Sequence, residues 1–190
     1  MKVLGIVGSP RKGGNTEILV EEALTVTREA GAQNEIILLA DKKIAGCDGC
    51  NSCIKTGVCK IQDDMQSIYQ QLEAADGIIF GSPVYFGSVT SQLKALIDRT
   101  YLYRPGMRLK GKVAAPIVAL RRVGGGQTRT LLYGYFMAQG MIVTRGAIGY
   151  GRQKGEVKEG VGGSQGFSAL EEARNAGKEV VEMLQQLSRA

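Results

Sequence analysis

Short apolar runs alternate along the chain with segments whose apolar residues recur at every third or fourth position. The runs are Lys2–Gly8, Glu35–Ala40, Gly77–Gly81, Val113–Leu120 and Met141–Ile148. Apolar on successive residues, they predict strands buried on both faces of a sheet. The segments with helical spacing are Thr16–Ala30, Asp63 to about Ala75, Thr90–Arg99, Thr128–Ala138 and about Phe167–Leu187. In the first of these Ile18, Leu19, Ala23 and Leu24 share one stripe, and Gly31 stops it. Asp63 and Asp64 open the second as cap and first-turn acids. Leu93, Leu96 and Ile97 make the inward side of the third. Strand and helix in alternation predict an α/β fold, a doubly wound, five-stranded parallel sheet with helices on both faces. A chain of 190 residues fits one such domain, 1–190.

That topology says where a ligand belongs. Open parallel sheets bind ligands beyond the carboxyl ends of their strands, at the point where the strand order reverses. The loops there are Gly8–Asn15, Gly81–Val89 and Arg121–Gln127, and all three are rich in glycine. The chain has 27 glycines, about twice the usual share, and no repeat to absorb them. They suit loops where backbone approaches a ligand. In the first loop a phosphate would meet free amides and the positive end of a helix. Ser9 and Thr16 offer hydroxyls, Asn15 an amide and Arg11 a charged donor pair, with Lys12 and Gly14 completing the candidate set. The nucleotide P-loop needs Gly-Lys-Ser/Thr where Gly13-Gly14-Asn15 stands, and the Gly-x-Gly-x-x-Gly dinucleotide pattern is absent. ATP or GTP hydrolysis is therefore not expected. The bland alternative is that these glycines only make a tight turn.

Composition narrows the chemistry further. With no histidine, the chain cannot build a Ser-His-Asp triad, a Cys-His dyad or an imidazole metal site. The hydrophobic share of 44% is that of a globular domain. No apolar run approaches the ~18 residues of a membrane span, and Met1-Lys2-Val3 leads straight into core sequence, so a cytoplasmic protein is expected.

All four cysteines lie together, as Cys47-x2-Cys50-x2-Cys53-x5-Cys59, in a loop at about residues 46–60. A reducing compartment disfavours disulfides. Structural zinc normally draws two cysteine knuckles from separated segments. Two successive x2 spacings followed by a more distant thiol resemble the ligation of a [4Fe–4S] cluster. The last spacing is five, and Lys60 stands where the bacterial ferredoxin run has proline. Zinc and redox-active or structural thiols remain alternatives. Gly46, Gly49 and Gly57 leave amides near the sulfur atoms.

The net charge is +6, but it is unevenly placed. Eleven basic and no acidic residues lie between Asp98 and Glu156, leaving the rest of the chain net negative. Such a segment suits an anionic partner or a solvated basic face. Nucleic acid is not expected, because no recognised binding motif accompanies the charge. Arg104, Arg108, Lys110 and Lys112, beside Tyr101 and Tyr103, are the densest group and the candidate docking patch.

The stretch Gly8–Thr16 after a first strand resembles the phosphate loop of the flavodoxin-like, NADPH-dependent FMN reductase superfamily. Asp76–Arg99 is similar to that superfamily's second flavin loop and the helix after it. In such proteins the segment matching Pro83-Val84-Tyr85-Phe86-Gly87 wraps the isoalloxazine ring, which needs amide donors and an apolar face. For Tyr85 and Phe86 the alternative is ordinary core packing. Arg121–Gln127, with Gly124, Gly125 and Gly126, resembles the third loop. The cysteine motif between second strand and second helix is similar to that of the iron-sulfur flavoproteins of methanogenic archaea.

For this chain the resemblance implies one FMN and one [4Fe–4S] cluster per subunit, the cluster near a subunit interface and close to a flavin. It implies assembly into dimers or tetramers. It also implies an oxidoreductase that passes electrons from a one-electron donor such as ferredoxin to FMN. From FMN they would reach a quinone, dioxygen or peroxide. No side chain is expected to serve as nucleophile or general base. The rival reading is an NAD(P)H-dependent FMN or quinone reductase whose cysteines are structural or bind zinc. A third is a plain electron carrier without a terminal acceptor.

Overall fold

A computed structural model describes residues 1–159, 163 and 167–189. Strands β1 (Lys2–Val7), β2 (Gln33–Leu38), β3 (Gly77–Pro83), β4 (Val113–Leu120), β5 (Ile142–Val143) and β6 (Ala147–Tyr150) form one parallel sheet. Its order is β2-β1-β3-β4, with β5 and β6 both on the far edge of β4. The direction of progression reverses between β1 and β3, which is the switch point of a doubly wound fold. The helices are α1 (Asn15–Glu29), α2 (Ser52–Thr56), α3 (Met65–Ala74), α4 (Ser91–Arg99), α5 (Gly125–Ala138) and α6 (Ala169–Leu187).

Alternation along the strands separates two cores. Leu4 and Ile6 of β1, Ile78 and Phe80 of β3, and Ala114 and Val118 of β4 pack against α3, α4 and α5. Val3 and Val7, Ile79, and Val113, Ala115 and Ile117 pack on the other face against α1 and α6. Both faces of β3 and β4 are covered, so these strands read as continuous apolar runs rather than alternating ones.

Where the sequence predicts a fifth strand over Met141–Ile148, the structure breaks it. Ala114 pairs with Val143 and Ile117 with Ala147, so three steps along β4 oppose four along its neighbour. The extra residue bulges out beside Pro116, whose ring nitrogen has no hydrogen to donate. Gly146 takes the bend at φ 68°, and a β-carbon there would overlap the carbonyl oxygen of Pro116. Helix α5 begins three residues earlier than its apolar spacing suggests, at Gly125. Asp63 and Asp64 do not cap α3 in the usual way: Asp63 accepts from the Met65 amide but also binds Arg99, and Asp64 accepts from Lys43. The short α2 within the cysteine loop has no counterpart among the predicted elements.

Candidate functional site

The carboxyl ends of the strands bring the three glycine-rich loops together. The Gly8 amide donates to Gly81 O at 2.7 Å, and the Thr90 hydroxyl donates to Gly8 O. Thr90 also caps α4, accepting from the Leu93 amide. These bonds join the first loop to the second. The second meets the third where the Val84 amide donates to Ala119 O at 2.9 Å and Gly124 packs on Val84 and Gly87.

Helices α1 and α5 both start here, from Gly14 and Gly124, and at neither start does a side chain accept from the first-turn amides. Helix α6, by contrast, opens on a full Ser168–Glu171 capping box. Free amides at two converging helix starts are suited to an anion and to carbonyl oxygens.

The individual residues of the first loop take different roles. Ser9 is buried; its hydroxyl accepts from the Arg11 amide at 3.1 Å and shapes the turn. Arg11 is exposed, while Lys12 is paired with Asp41. Gly14 and Thr16 are buried at the start of α1. The Asn15 side chain donates to Gln153 O and accepts from the Gly155 amide, both at 2.8 Å. It thus holds a distant loop with one donor and one acceptor. Gln153 and Gly155 carry no signal in the sequence that could announce this contact.

In the second loop Tyr85 and Ser88 exchange backbone hydrogen bonds across a two-residue turn. Its central residues Phe86 and Gly87 have φ 51° and 74°, the geometry of a type I′ hairpin. Glycine adopts this freely, but phenylalanine does so only under strain of ~1–3 kcal/mol. Phe86 is nevertheless fully exposed and Tyr85 partly so, which sets aside core packing for both. Pro83 ends β3, and Gly124, Gly125 and Gly126 begin the third loop's helix.

The four cysteines line a second, separate cavity of about 320 Å³, with Asp98, Arg99, Tyr101 and Leu102 as part of its wall. Cys47 and Cys50 are exposed; Cys53 and Cys59 are half-buried against the α3–α5 core. Burial pushes the Cys53 thiol up, and Cys59, Cys47 and Cys50 add to the effect as neighbouring negative charges. All four sulfurs thus share one electrostatic site. Lys60 pairs with Asp48 at 2.9 Å and holds its carboxyl down at about 2, with help from Cys50.

A buried ion pair, which the sequence does not reveal, ties down both ends of this loop. Arg99, with no exposed side-chain surface, binds Asp63 through both guanidinium ends at 2.7 and 3.2 Å. The same guanidinium donates to Ala45 O and Ile61 O, the residues flanking the cysteine segment. Asp63 accepts from the Ala45 amide at 2.9 Å, and Gln66 donates to Cys59 O and Ile61 O.

The donor set suits an iron–sulfur cluster: four thiols around one cavity, on a loop with pinned ends. Among the described residues no group of cysteines and carboxylates stands at metal-binding distance.

The basic group Arg104, Arg108, Lys110 and Lys112 is largely spent on internal contacts. Arg108 binds Glu73 and Gly57 O and lies over the ring of Tyr103, which is buried. Lys112 donates to Glu73 O and Ala75 O, and Arg104 to Ala138 O. Arg104 and Lys110 keep charges that no carboxylate of the described residues neutralises. Among the described residues no helix is long and apolar enough to cross a membrane.

The profile of the NADPH-dependent FMN reductase family matches residues 1–154. An iron-sulfur flavoprotein of Methanocaldococcus jannaschii is 43% identical over 194 aligned positions, covering 97% of both chains. Another, from Methanosarcina thermophila, is 41% identical over 146 positions, covering 75% of this chain and 76% of its own. Among solved structures, a flavodoxin-type WrbA-like protein of Agrobacterium tumefaciens superposes with a TM-score of 0.65 over 97% of both chains, at 19% identity. That fold, the loops that meet at its switch point and relatives of this closeness over nearly the whole length lead to one assignment: the chain belongs to the iron-sulfur flavoproteins of the NADPH-dependent FMN reductase family and is a flavin-dependent oxidoreductase.

Proposed function

We propose that this chain carries one FMN across the three loops and one [4Fe–4S] cluster on Cys47, Cys50, Cys53 and Cys59. On this reading it moves electrons from a small one-electron protein donor, such as a ferredoxin, to a small acceptor: a quinone, dioxygen or peroxide. The observation that carries the reading is the convergence of all four thiols on one cavity in a chain whose relatives are named iron-sulfur flavoproteins. When bound, the cluster supplies one-electron transfer and FMN accepts one or two electrons, so the pair links single-electron carriers to two-electron acceptors.

The chain's own residues bind and orient. Arg11 and the amides of Gly14–Thr16 would hold the phosphate, Pro83–Gly87 and Gly124–Gly126 would hold the ring, and the Arg99–Asp63 pair ties down the ends of the loop that carries the thiols. The test is the spectrum of anaerobically purified protein before and after dithionite, with iron and acid-labile sulfide measured on the same sample. Zinc without iron would overturn the cluster.

Two expected results follow from these assignments. Replacing Arg11 with Ala should weaken FMN by about 1.5–3 kcal/mol, the worth of a hydrogen bond to a charged group. Titration of flavin-free protein measures it, and an unchanged affinity removes Arg11 from the phosphate.

The donor supplies the other. Ferredoxins are commonly acidic, and unneutralised Arg104 and Lys110 suit long-range steering of such a partner. Reversing both to Glu should slow reduction by ferredoxin at low salt while leaving reduction by dithionite unchanged. A ferredoxin-driven rate that does not fall with ionic strength in the parent would set the docking idea aside. Self-assembly belongs to the same reading: Phe86 and Val123 leave apolar surface beside the flavin loops for another copy of the chain to cover.

A further inference from the structure

We propose that Lys154 is the second cation of the phosphate loop, and that Asn15 is the positioning residue that holds it there. The inference rests on the reading that Gly8–Thr16 takes the flavin phosphate.

The loop that carries Lys154 is tied at both ends. The amides of Arg152 and Gln153 both donate to the Glu156 carboxylate, which folds Arg152–Glu156 into a tight turn. Asn15, in the first turn of α1, then clasps that turn across nearly the whole chain, donating to Gln153 O and accepting from the Gly155 amide. Lys154 lies between the two clasped residues. Gly151 passes directly beneath the Asn15 amide, where a β-carbon would overlap it, so the loop is seated against α1 and not merely near it.

From this clasped turn the Lys154 side chain reaches back over the first loop. Its Nζ lies 3.5 Å, and its Cε 3.4 Å, from where a β-carbon on Gly13 would stand. That places the ammonium over the bend of the phosphate loop, one residue before Gly14. No carboxylate among the described residues neutralises it. Lys12, the nearer lysine in sequence, is turned away to Asp41. The Glu17 carboxylate already accepts from the Gly13 amide at 2.7 Å, so the cations available to an incoming anion are Arg11 from the loop's own segment and Lys154 from a segment some 140 residues away. A dianionic phosphate monoester is better matched by two cations than by one.

The test is the affinity of the flavin-free chain for FMN and for riboflavin, which lacks the phosphate, followed by flavin fluorescence. K154Q should weaken FMN about ten-fold or more, while riboflavin changes little; K154R should restore much of the loss. N15A should reproduce the loss, and in N15A/K154Q the two losses should fall well short of multiplying, because the first variant already frees the lysine. Lys154 is exposed, so K154Q leaves the fold intact.

If the parent discriminates FMN from riboflavin and K154Q discriminates equally well, the proposal is overturned while the phosphate reading stands. If the parent binds both flavins alike, both are overturned. Losses that multiply in the double variant would assign Asn15 to the phosphate itself and overturn the clasp.

Discussion

Asp63→Asn is expected to lower the stability of the chain by about 3–5 kcal/mol, the usual consequence of removing one partner from a buried ion pair. Native domains hold only ~5–15 kcal/mol in total, so this single isosteric change consumes a large part of the margin. The reason is Arg99, whose side chain has no contact with solvent and cannot shed its proton. Without Asp63 it is a buried charge facing only carbonyl oxygens. Urea unfolding of parent and variant measures the difference, and a loss below about 1 kcal/mol would mean that water reaches the pair.

The same carboxyl makes a pH prediction. Burial pushes Asp63 up, but Arg99 and the amides of Ala45 and Met65 outweigh that, and the net result lies below the usual carboxylate range. A folded value below the unfolded one stabilises fully above the unfolded value of ~3.9 and is lost as pH falls through the folded value. Acid unfolding below about pH 4 should therefore be steeper in the parent than in Asp63→Asn. The loop ends depend on this pair as well. Replacing both partners by apolar residues should recover part of the stability. It should not restore the tether at Ala45 and Ile61, so the thiol cavity would still open.

Cys50→Ser is expected to abolish the iron–sulfur absorbance while leaving one flavin per chain. Cys50 is exposed, so the substitution takes little from the core and its effect can be assigned to ligation. A hydroxyl is a hard donor, poorly matched to the iron of a sulfide cluster. The cysteine loop shares no residue with the three loops at the carboxyl ends of β1, β3 and β4, which is why the two losses should separate. Iron, sulfide and flavin counted on one anaerobic preparation decide it. Retained iron in Cys50→Ser would show that another group takes the fourth position. Loss of flavin together with iron would mean that the sites are not independent.

Much of the fold is legible in the apolar pattern, and the errors have local causes. β1 and β4 announce themselves because both of their faces are buried, and a strand sandwiched between helix layers has no polar row to interrupt its run. The far edge strand misleads for the same reason: Met141–Ile148 is apolar enough to be one strand. What divides it is Pro116 on the neighbouring strand, through a hydrogen bond that cannot form. Gly125–Gln127 are not read as helix because their glycines carry no helical stripe, yet α5 starts there, with no side chain capping its first turn.

The sequence by itself determined the alternation of strands and helices and the concentration of every thiol in one loop, because periodicity and spacing are properties of contiguous residues. The strand order, and with it the switch point between β1 and β3, came from the tertiary structure. The sequence could not determine which polar groups are already spent. Lys12, Asn15, Arg108 and Lys112 look alike to a reader of composition, as free donors. The tertiary structure commits Lys12 to Asp41, Asn15 to Gln153 and Gly155, Arg108 to Glu73 and Lys112 to two carbonyls. It also leaves Lys154 unspent above Gly13 and joins Arg99 to Asp63 across 36 residues. Those pairings are long-range and directional: a hydrogen bond or ion pair exists only when packing brings two specific atoms within about 3 Å. Apolar burial is non-directional and can be read one segment at a time.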